Sequence, residues 1–173
     1  MNATNEVSTA KVYVSTYHTY NSGSLLGEWV DLEDFLDASE FYTFLSKTLN
    51  KKYWKENDPE YMIQDFEGFP KSMYYESSVS EEIFEFIHNV PDDDKEVFSA
   101  FMDHWNFDTI EQTIEQFNDR RTGQDNWSDF AYDHAEMMFD KTFIDSGYFD
   151  FKCYERMLKE CHTMVGDEIF RDD

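Results

Sequence analysis

Alternating apolar and polar residues predict a small β-sheet in the first part of the chain. Residues 12–17 (VYVSTY) predict a strand, and residues 25–32 predict its antiparallel partner. Residues 61–66 predict a third strand, which ends at the turn-forming residues 67–70. From Ser39, a natural N-cap, the apolar period changes to 3.6. The pattern predicts one helix across the sheet, with an inner face of Phe41, Phe44, Leu45, Thr48 and Leu49.

Short, locally connected helices are predicted next. A capping-box pattern at residues 78–81 opens a helix that ends at Pro91, and the aspartates at 92–94 cap a second helix. The apolar positions that align on them are Ile83, Ile87 and Val90 on the first and Val97, Phe101, His104 and Trp105 on the second. These elements predict a compact central helical module.

A third helix and an α+β segment complete the pattern. Residues 108–111 form another capping box, so that Ile110, Ile114 and Phe117 face inward and Glu111, Glu115 and Asp119 face water. Further on, the sequence predicts a strand at residues 148–151 and a helix at 152–160. Residues 164–170 predict a hairpin that turns at Gly166 and Asp167.

An unusual row of acids occurs at residues 125–140 (DNWSDFAYDHAEMMFD). If these residues form one helix, five carboxylates at spacings of four, four, three and four residues lie on one face, and apolar residues occupy another face. The five acids are Asp125, Asp129, Asp133, Glu136 and Asp140. Like charges at these spacings cost roughly 0.2 to 0.5 kcal/mol per pair, or about 1 to 2 kcal/mol in total. The row therefore indicates either a solvated surface kept for solubility or a surface that a partner recognises.

The acidity extends to the whole chain, which has 38 acidic and 14 basic residues and a formal charge of -24. Its aromatic content of 18% indicates a folded protein rather than a disordered acidic tail. Such a charge repels nucleic acid and anionic membranes and attracts basic surfaces. In number, 24 charges correspond to roughly 40 Å of B-DNA, or about 12 base pairs.

Catalytic and targeting signals are missing from the sequence. It lacks a signal-peptide pattern and an apolar run long enough for a membrane span, so we expect a cytoplasmic protein. His134 and Glu136 match half of a zinc-deaminase signature, but the cysteine half does not follow. Cys153 and Cys161, about 12 Å apart on one predicted helix, are expected to be reduced. We predict no enzyme activity, no metal site and no cofactor.

Several long motifs resemble the ArdA antirestriction proteins of conjugative plasmids and transposons. They are residues 12–17 (VYVSTY), 20–25 (YNSGSL), 27–32 (GEWVDL) and 64–70 (QDFEGFP). Residues 130–136, 148–151 and 154–158 give a looser similarity near the end of the chain. The sequence departs from the family pattern at Lys152 and Cys153, and Arg120 and Arg121 place positive charge beside the acidic row.

The resemblance implies a homodimeric, elongated α+β protein of three small domains, here residues 1–70, 71–110 and 111–173. It implies that the protein imitates bent B-form DNA, occupies the DNA channel of Type I restriction-modification enzymes, and blocks cleavage and often methylation. The implied partner is thus a Type I enzyme, with no nucleic acid or membrane bound. Dimerisation is implied in the C-terminal domain, where Tyr148, Phe149 and Phe151 are the candidate contacts.

The predicted DNA-mimicking surface combines the acids of the third helix with the row at 125–140. Its members are Asp108, Glu111, Glu115, Asp119, Asp125, Asp129, Asp133, Glu136 and Asp140. Two alternatives stay open. One is an acidic regulator or chaperone that binds basic DNA-binding proteins, and the other is a hydrolase that uses two of the carboxylates.

Overall fold

A computed structural model describes residues 9–172, in which helices and small antiparallel sheets are mixed, and this confirms the α+β class. The chain divides into a first unit that ends at Lys95 and a second unit that begins at Glu96. Each unit contains 19 acidic and 7 basic residues, so each has a formal charge of -12. The division into three domains at residues 70 and 110 stays a prediction.

The first unit contains a three-stranded antiparallel sheet. Its central strand β1 (Lys11–Thr16) pairs with β2 (Glu28–Asp31) on one side and β3 (Tyr61–Glu67) on the other. The predicted start of the second strand at residue 25 is wrong by three residues. Gly27 comes directly before the strand, and a Cβ there would come within 2.8 Å of the Tyr13 ring and the Val14 carbonyl oxygen, so the position requires glycine. This close approach shapes the loop that leads into β2.

Two helical segments follow the first two strands. A short helix α1 (Tyr17–Asn21) follows β1, and α2 (Ala38–Phe44) continues into a π-helical segment, Leu45–Trp54. The predicted N-cap Ser39 is wrong, because the carboxylate of Asp37 accepts the Glu40 backbone N–H at 2.7 Å. On the predicted inner face Phe41, Leu45 and Leu49 are buried, Phe44 is half-buried and Thr48 is exposed.

Helix α3 (Glu81–Asn89) buries four apolar side chains, which are Ile83, Phe84, Phe86 and Ile87. Its N-cap is Ser80, whose side chain makes no capping hydrogen bond, so the predicted capping box from Ser78 does not form. The helix ends before Pro91 as predicted. Asp92–Asp94 form a 3₁₀ turn that leads into α4 (Lys95–His104).

One core of the second unit is aromatic. Helix α4 and helix α5 (Ile110–Arg120) pack with the hairpin of β4 (His162–Val165) and β5 (Glu168–Arg171). Fully or nearly fully buried rings from these elements contact one another: Phe98, Phe101, Phe117 and Phe170. The predicted hairpin and its turn at Gly166, with φ of 62°, are confirmed.

A second core lies under three helices, α6 (Trp127–Met138), α7 (Lys141–Ile144) and α8 (Phe151–Leu158). Its buried members are Phe130, Ala131, Ala135, Ile144, Tyr154, Leu158 and Ile169. The predicted strand at 148–151 is wrong. The carboxylate of Asp150 accepts the Cys153 backbone N–H at 3.0 Å, which caps α8 and starts the helix at Phe151.

Candidate functional site

Helix α5 presents three acids to solvent. Glu111, Glu115 and Asp119 are exposed, as the sequence predicts. The opposite face buries Ile110, Thr113 and Phe117, whereas the predicted Ile114 is only half-buried. The N-cap is Thr109, whose hydroxyl accepts the Gln112 N–H at 3.3 Å, so the predicted capping box from Asp108 is displaced by one residue. Asp108 is exposed just before the helix.

The arginines beside this row are held by other groups. Arg120 donates to the Asp172 carbonyl oxygen at 2.5 Å and lies over the rings of Trp105 and Phe107. Arg121 binds the Glu168 carboxylate at 2.7 Å. Arg120 is thus bound to the backbone near the end of the chain and to two aromatic rings, and Arg121 to Glu168. Arg171, which is 52 residues from Asp119 in sequence, binds that carboxylate at 2.7 Å.

The row at 125–140 does not lie on one helix. Helix α6 begins at Trp127 because the side chain of Asn126 accepts the N–H groups of Ser128 and Asp129, which leaves Asp125 before the helix. At the other end Phe139 is extended, and Asp140 is the N-cap of α7 instead. The prediction of five acids on one helix is thus wrong. The exposed acids of α6 are Asp129, Asp133 and Glu136.

The acidic side chains of α6 differ in their hydrogen-bond and ion-pair partners. Glu136 accepts hydrogen bonds from Lys141 (3.0 Å) and the Tyr132 hydroxyl (3.1 Å), and these two bonds lower its pKa. Asp133 accepts from the uncharged amide of Gln124 at 2.9 Å. Among residues 9–172, neither Asp129 nor Asp133 has a cationic partner. Their negative charge is therefore available to a basic partner.

Asp140 is also held in the ionised form. It accepts hydrogen bonds from the side-chain hydroxyl and the backbone N–H of Thr142, and these bonds lower the pKa of the Asp140 carboxyl group. The lowered pKa therefore keeps Asp140 negatively charged at neutral pH.

The linear density of these charges is lower than that of DNA. Acids four residues apart on a helix are separated by about 6 Å along its axis. One strand of B-DNA has a phosphate about every 3.4 Å. A single helix row therefore supplies about half the charge density of one DNA strand. A surface that imitates the charge density of DNA would therefore need several such rows.

An aromatic surface lies near the predicted dimer contact. Tyr148 is 89% exposed, whereas Phe149 and Phe151 are half-buried against the core under α6 and α8. Phe139 and Phe143, which sequence reasoning missed, both contact Phe149 and are partly exposed. The run of apolar residues at 137–139 is the sequence signal that could have indicated this surface.

A pair of histidines packs beneath α6. Nδ1 of His134 lies 2.7 Å from the Tyr154 hydroxyl oxygen, and the His134 and His162 rings are 6.5 Å apart. Burial, followed by the nearby charge of His162, lowers the pKa of His134 below 6.5. The folded protein therefore favours neutral His134, while the unfolded chain protonates it first as the pH falls.

We expect this histidine to make stability depend on pH. Its neutral form contributes fully above about pH 6.5, and the contribution is lost as the pH falls through the lowered pKa. The measurement is urea denaturation of the wild type and His134→Gln at pH 7.5, 6.5 and 5.5. The stability of the wild type relative to the variant should decrease as the pH falls, and a difference that stays constant from pH 7.5 to 5.5 would contradict this role of His134.

Other kinds of site are not found in residues 9–172. No group of three or more histidine, cysteine or acidic side chains there is arranged to hold a metal ion. None of the helices in that range combines the length and apolar character needed to cross a bilayer.

Comparison with known proteins identifies the family. The curated protein sequences gave no match to the chain. The family model described as Antirestriction protein (ArdA) matches residues 12–165, which include the acidic helices α5 and α6. Because this match covers well over half of the chain, the protein belongs to the ArdA family of antirestriction proteins.

Proposed function

We propose that this protein acts in the cytoplasm as an imitation of B-form DNA. It occupies the DNA-binding channel of a Type I restriction-modification enzyme and thereby blocks cleavage. If the DNA to be methylated uses the same channel, it blocks methylation as well. The observation that carries the proposal is the set of exposed acids on α5 and α6, among which Asp129 and Asp133 have no cationic partner in the described chain. Membership of an antirestriction family supports it.

The proposed attraction is electrostatic. A DNA channel holds lysine and arginine side chains that bind phosphates, and carboxylates at similar positions bind the same cations. The attraction acts over a Debye length, which is about 10 Å at 0.1 M salt. Because the charge is distributed over many acids, no single carboxylate is essential.

The test is a cleavage assay with purified Type I enzyme on unmodified DNA, with methylation followed in parallel. We expect inhibition, and we expect the half-inhibiting concentration to rise about tenfold or more between 50 and 200 mM salt. An inhibitory effect that is insensitive to salt would contradict recognition of charge. Absence of inhibition, with retention of many basic proteins in a pull-down, would favour the acidic regulator or chaperone.

We also propose that the protein is a homodimer through the aromatic surface near Tyr148. Tyr148→Asp should weaken the dimer by about 30-fold or more, as is typical when a central aromatic contact is lost. Sedimentation velocity over a concentration series measures the change. Tyr75→Asp, at a residue that is 56% exposed in the first unit, is the matched control. A dimer that persists in Tyr148→Asp would place the contact elsewhere.

A further inference from the structure

An open groove of about 550 Å³ lies beside the sheet of the first unit. All four residues of β2 line one side, and Phe44, Leu49 and Lys52 of the α2 and π-helical segment line the other. The groove is therefore bounded by a strand and a helical segment. Its volume is in the range of sites that bind small ligands.

The strand that lines the groove has an unpaired edge. The sheet order is β2-β1-β3, so within residues 9–172 β2 pairs with β1 and with no other strand. The N–H of Leu32 donates to the Ala10 carbonyl oxygen at 2.8 Å, and Val30 is opposite Val12. Because backbone groups alternate in direction along a strand, the N–H groups of Trp29 and Asp31 point to the open side. Neither has a backbone partner within residues 9–172.

The charges around the groove define the partner. Glu28, Asp31 and Asp34 line it, against the single cation Lys52, so its lining has an acidic excess. A second copy of the chain placed edge to edge would bring the same acids together, which is unfavourable. A segment with basic residues complements them, and apolar residues between the basic ones would contact Phe44 and Leu49.

We propose that β2 binds an extended, basic segment of a protein partner as an additional strand. Strand addition beside an exposed sheet edge is an established mode of peptide recognition, in which backbone hydrogen bonds give affinity and side-chain contacts give specificity. The proposed surface uses residues of the first unit and does not depend on the DNA-mimicking acids of α5 and α6.

The test is an NMR titration of the full chain with the capped peptide Arg-Val-Arg-Val-Arg-Val. We expect binding with a Kd below about 1 mM and slowing of amide exchange at Trp29 and Asp31 by about tenfold or more. Two further peptides carry backbone N-methyl groups at alternate residues, one at the arginines and the other at the valines. The peptide in which the methyl groups replace the N–H donors that face β2 should bind about three- to tenfold more weakly than the other peptide.

Variants of the protein test the same geometry. Asp31 has φ of -75°, which proline adopts, so Asp31→Pro removes the N–H that faces the groove without opposing the local backbone. It should bind the peptide about three- to tenfold more weakly than Asp31→Ala, which lacks the same carboxylate. Circular dichroism of both variants verifies their fold, and the N-methylated peptides supply the test if the proline variant does not fold.

Charge is tested by removing two acids at a time. Glu28→Gln with Asp34→Asn should weaken peptide binding about two- to fivefold for each charge. Asp103→Asn with Glu160→Gln, which removes the same charge from two exposed positions of the second unit, should leave it unchanged.

Four results would overturn the inference: no peptide binding, equal binding of the two N-methylated peptides, equal binding of a Glu-Val peptide, or protection of the two amides by self-association without peptide. These measurements do not involve a restriction enzyme, so their failure is distinguishable from failure of the proposed function.

Discussion

Converting Glu111, Glu115, Asp129 and Asp133 to their amides is expected to raise the concentration for half-inhibition of a Type I enzyme by about 30-fold. Each exposed charge contributes about 0.5 kcal/mol, so four contribute about 2 kcal/mol. The substitutions preserve side-chain shape, and all four residues are exposed. They also remove two like-charge pairs from each helix, which are 111/115 and 115/119 on α5 and 129/133 and 133/136 on α6, so thermal stability should be unchanged or slightly higher. The measurements are the cleavage titration and a thermal melt.

The matched control exchanges the acids for each other at the same four positions. Glu111→Asp, Glu115→Asp, Asp129→Glu and Asp133→Glu preserve the charge, so this variant should inhibit nearly as well as the wild type. Each single amide substitution should shift the half-inhibiting concentration by only about twofold. If one single substitution abolished inhibition in a folded protein, a specific contact would replace the distributed charge as the explanation.

Phe101→Ala is expected to destabilise the second unit by about 3 to 5 kcal/mol. Phe101 is fully buried, and its ring lies 4.7 to 5.4 Å from the rings of Trp105, Phe117 and Phe170. Alanine would leave a cavity among rings that cannot collapse to fill it. Urea denaturation followed by tryptophan fluorescence and far-UV circular dichroism measures the loss.

Met137→Ala serves as the control for this substitution. Met137 is in the same unit but is 76% exposed, so truncation there should change stability by no more than about 0.5 kcal/mol. A similar small effect for Phe101→Ala would mean that the aromatic core does not determine the stability of this unit.

The fold was predictable from sequence where periodicity decides it. Alternation in β1 reflects buried Val12 and Val14, and the four-residue spacing of Phe41, Leu45 and Leu49 reflects one buried helix face. Element ends were less predictable, because neighbouring residues compete for the same cap. Asp37 is the N-cap where Ser39 was predicted. Asn126 is the N-cap of α6, so Asp125, the first acid of the predicted row, lies before the helix.

The features of the candidate site that depend only on neighbouring residues in the sequence were predictable. The exposed acids of α5 follow from a period of 3.6. The ion pair between Asp119 and Arg171 was not predictable, because the two residues are far apart in sequence and meet only through packing of the hairpin on α5. The open edge of β2 likewise depends on strand order, which residue patterns do not encode.

Competition between this protein and DNA for one Type I enzyme tests the central claim most directly. Purified enzyme is bound to a labelled duplex that contains its recognition sequence, and the displacement of the duplex is measured at several duplex concentrations. If the protein occupies the DNA channel, it displaces the duplex completely, and the half-displacing concentration rises in proportion to the duplex concentration. Inhibition of cleavage while the duplex remains bound would contradict the claim.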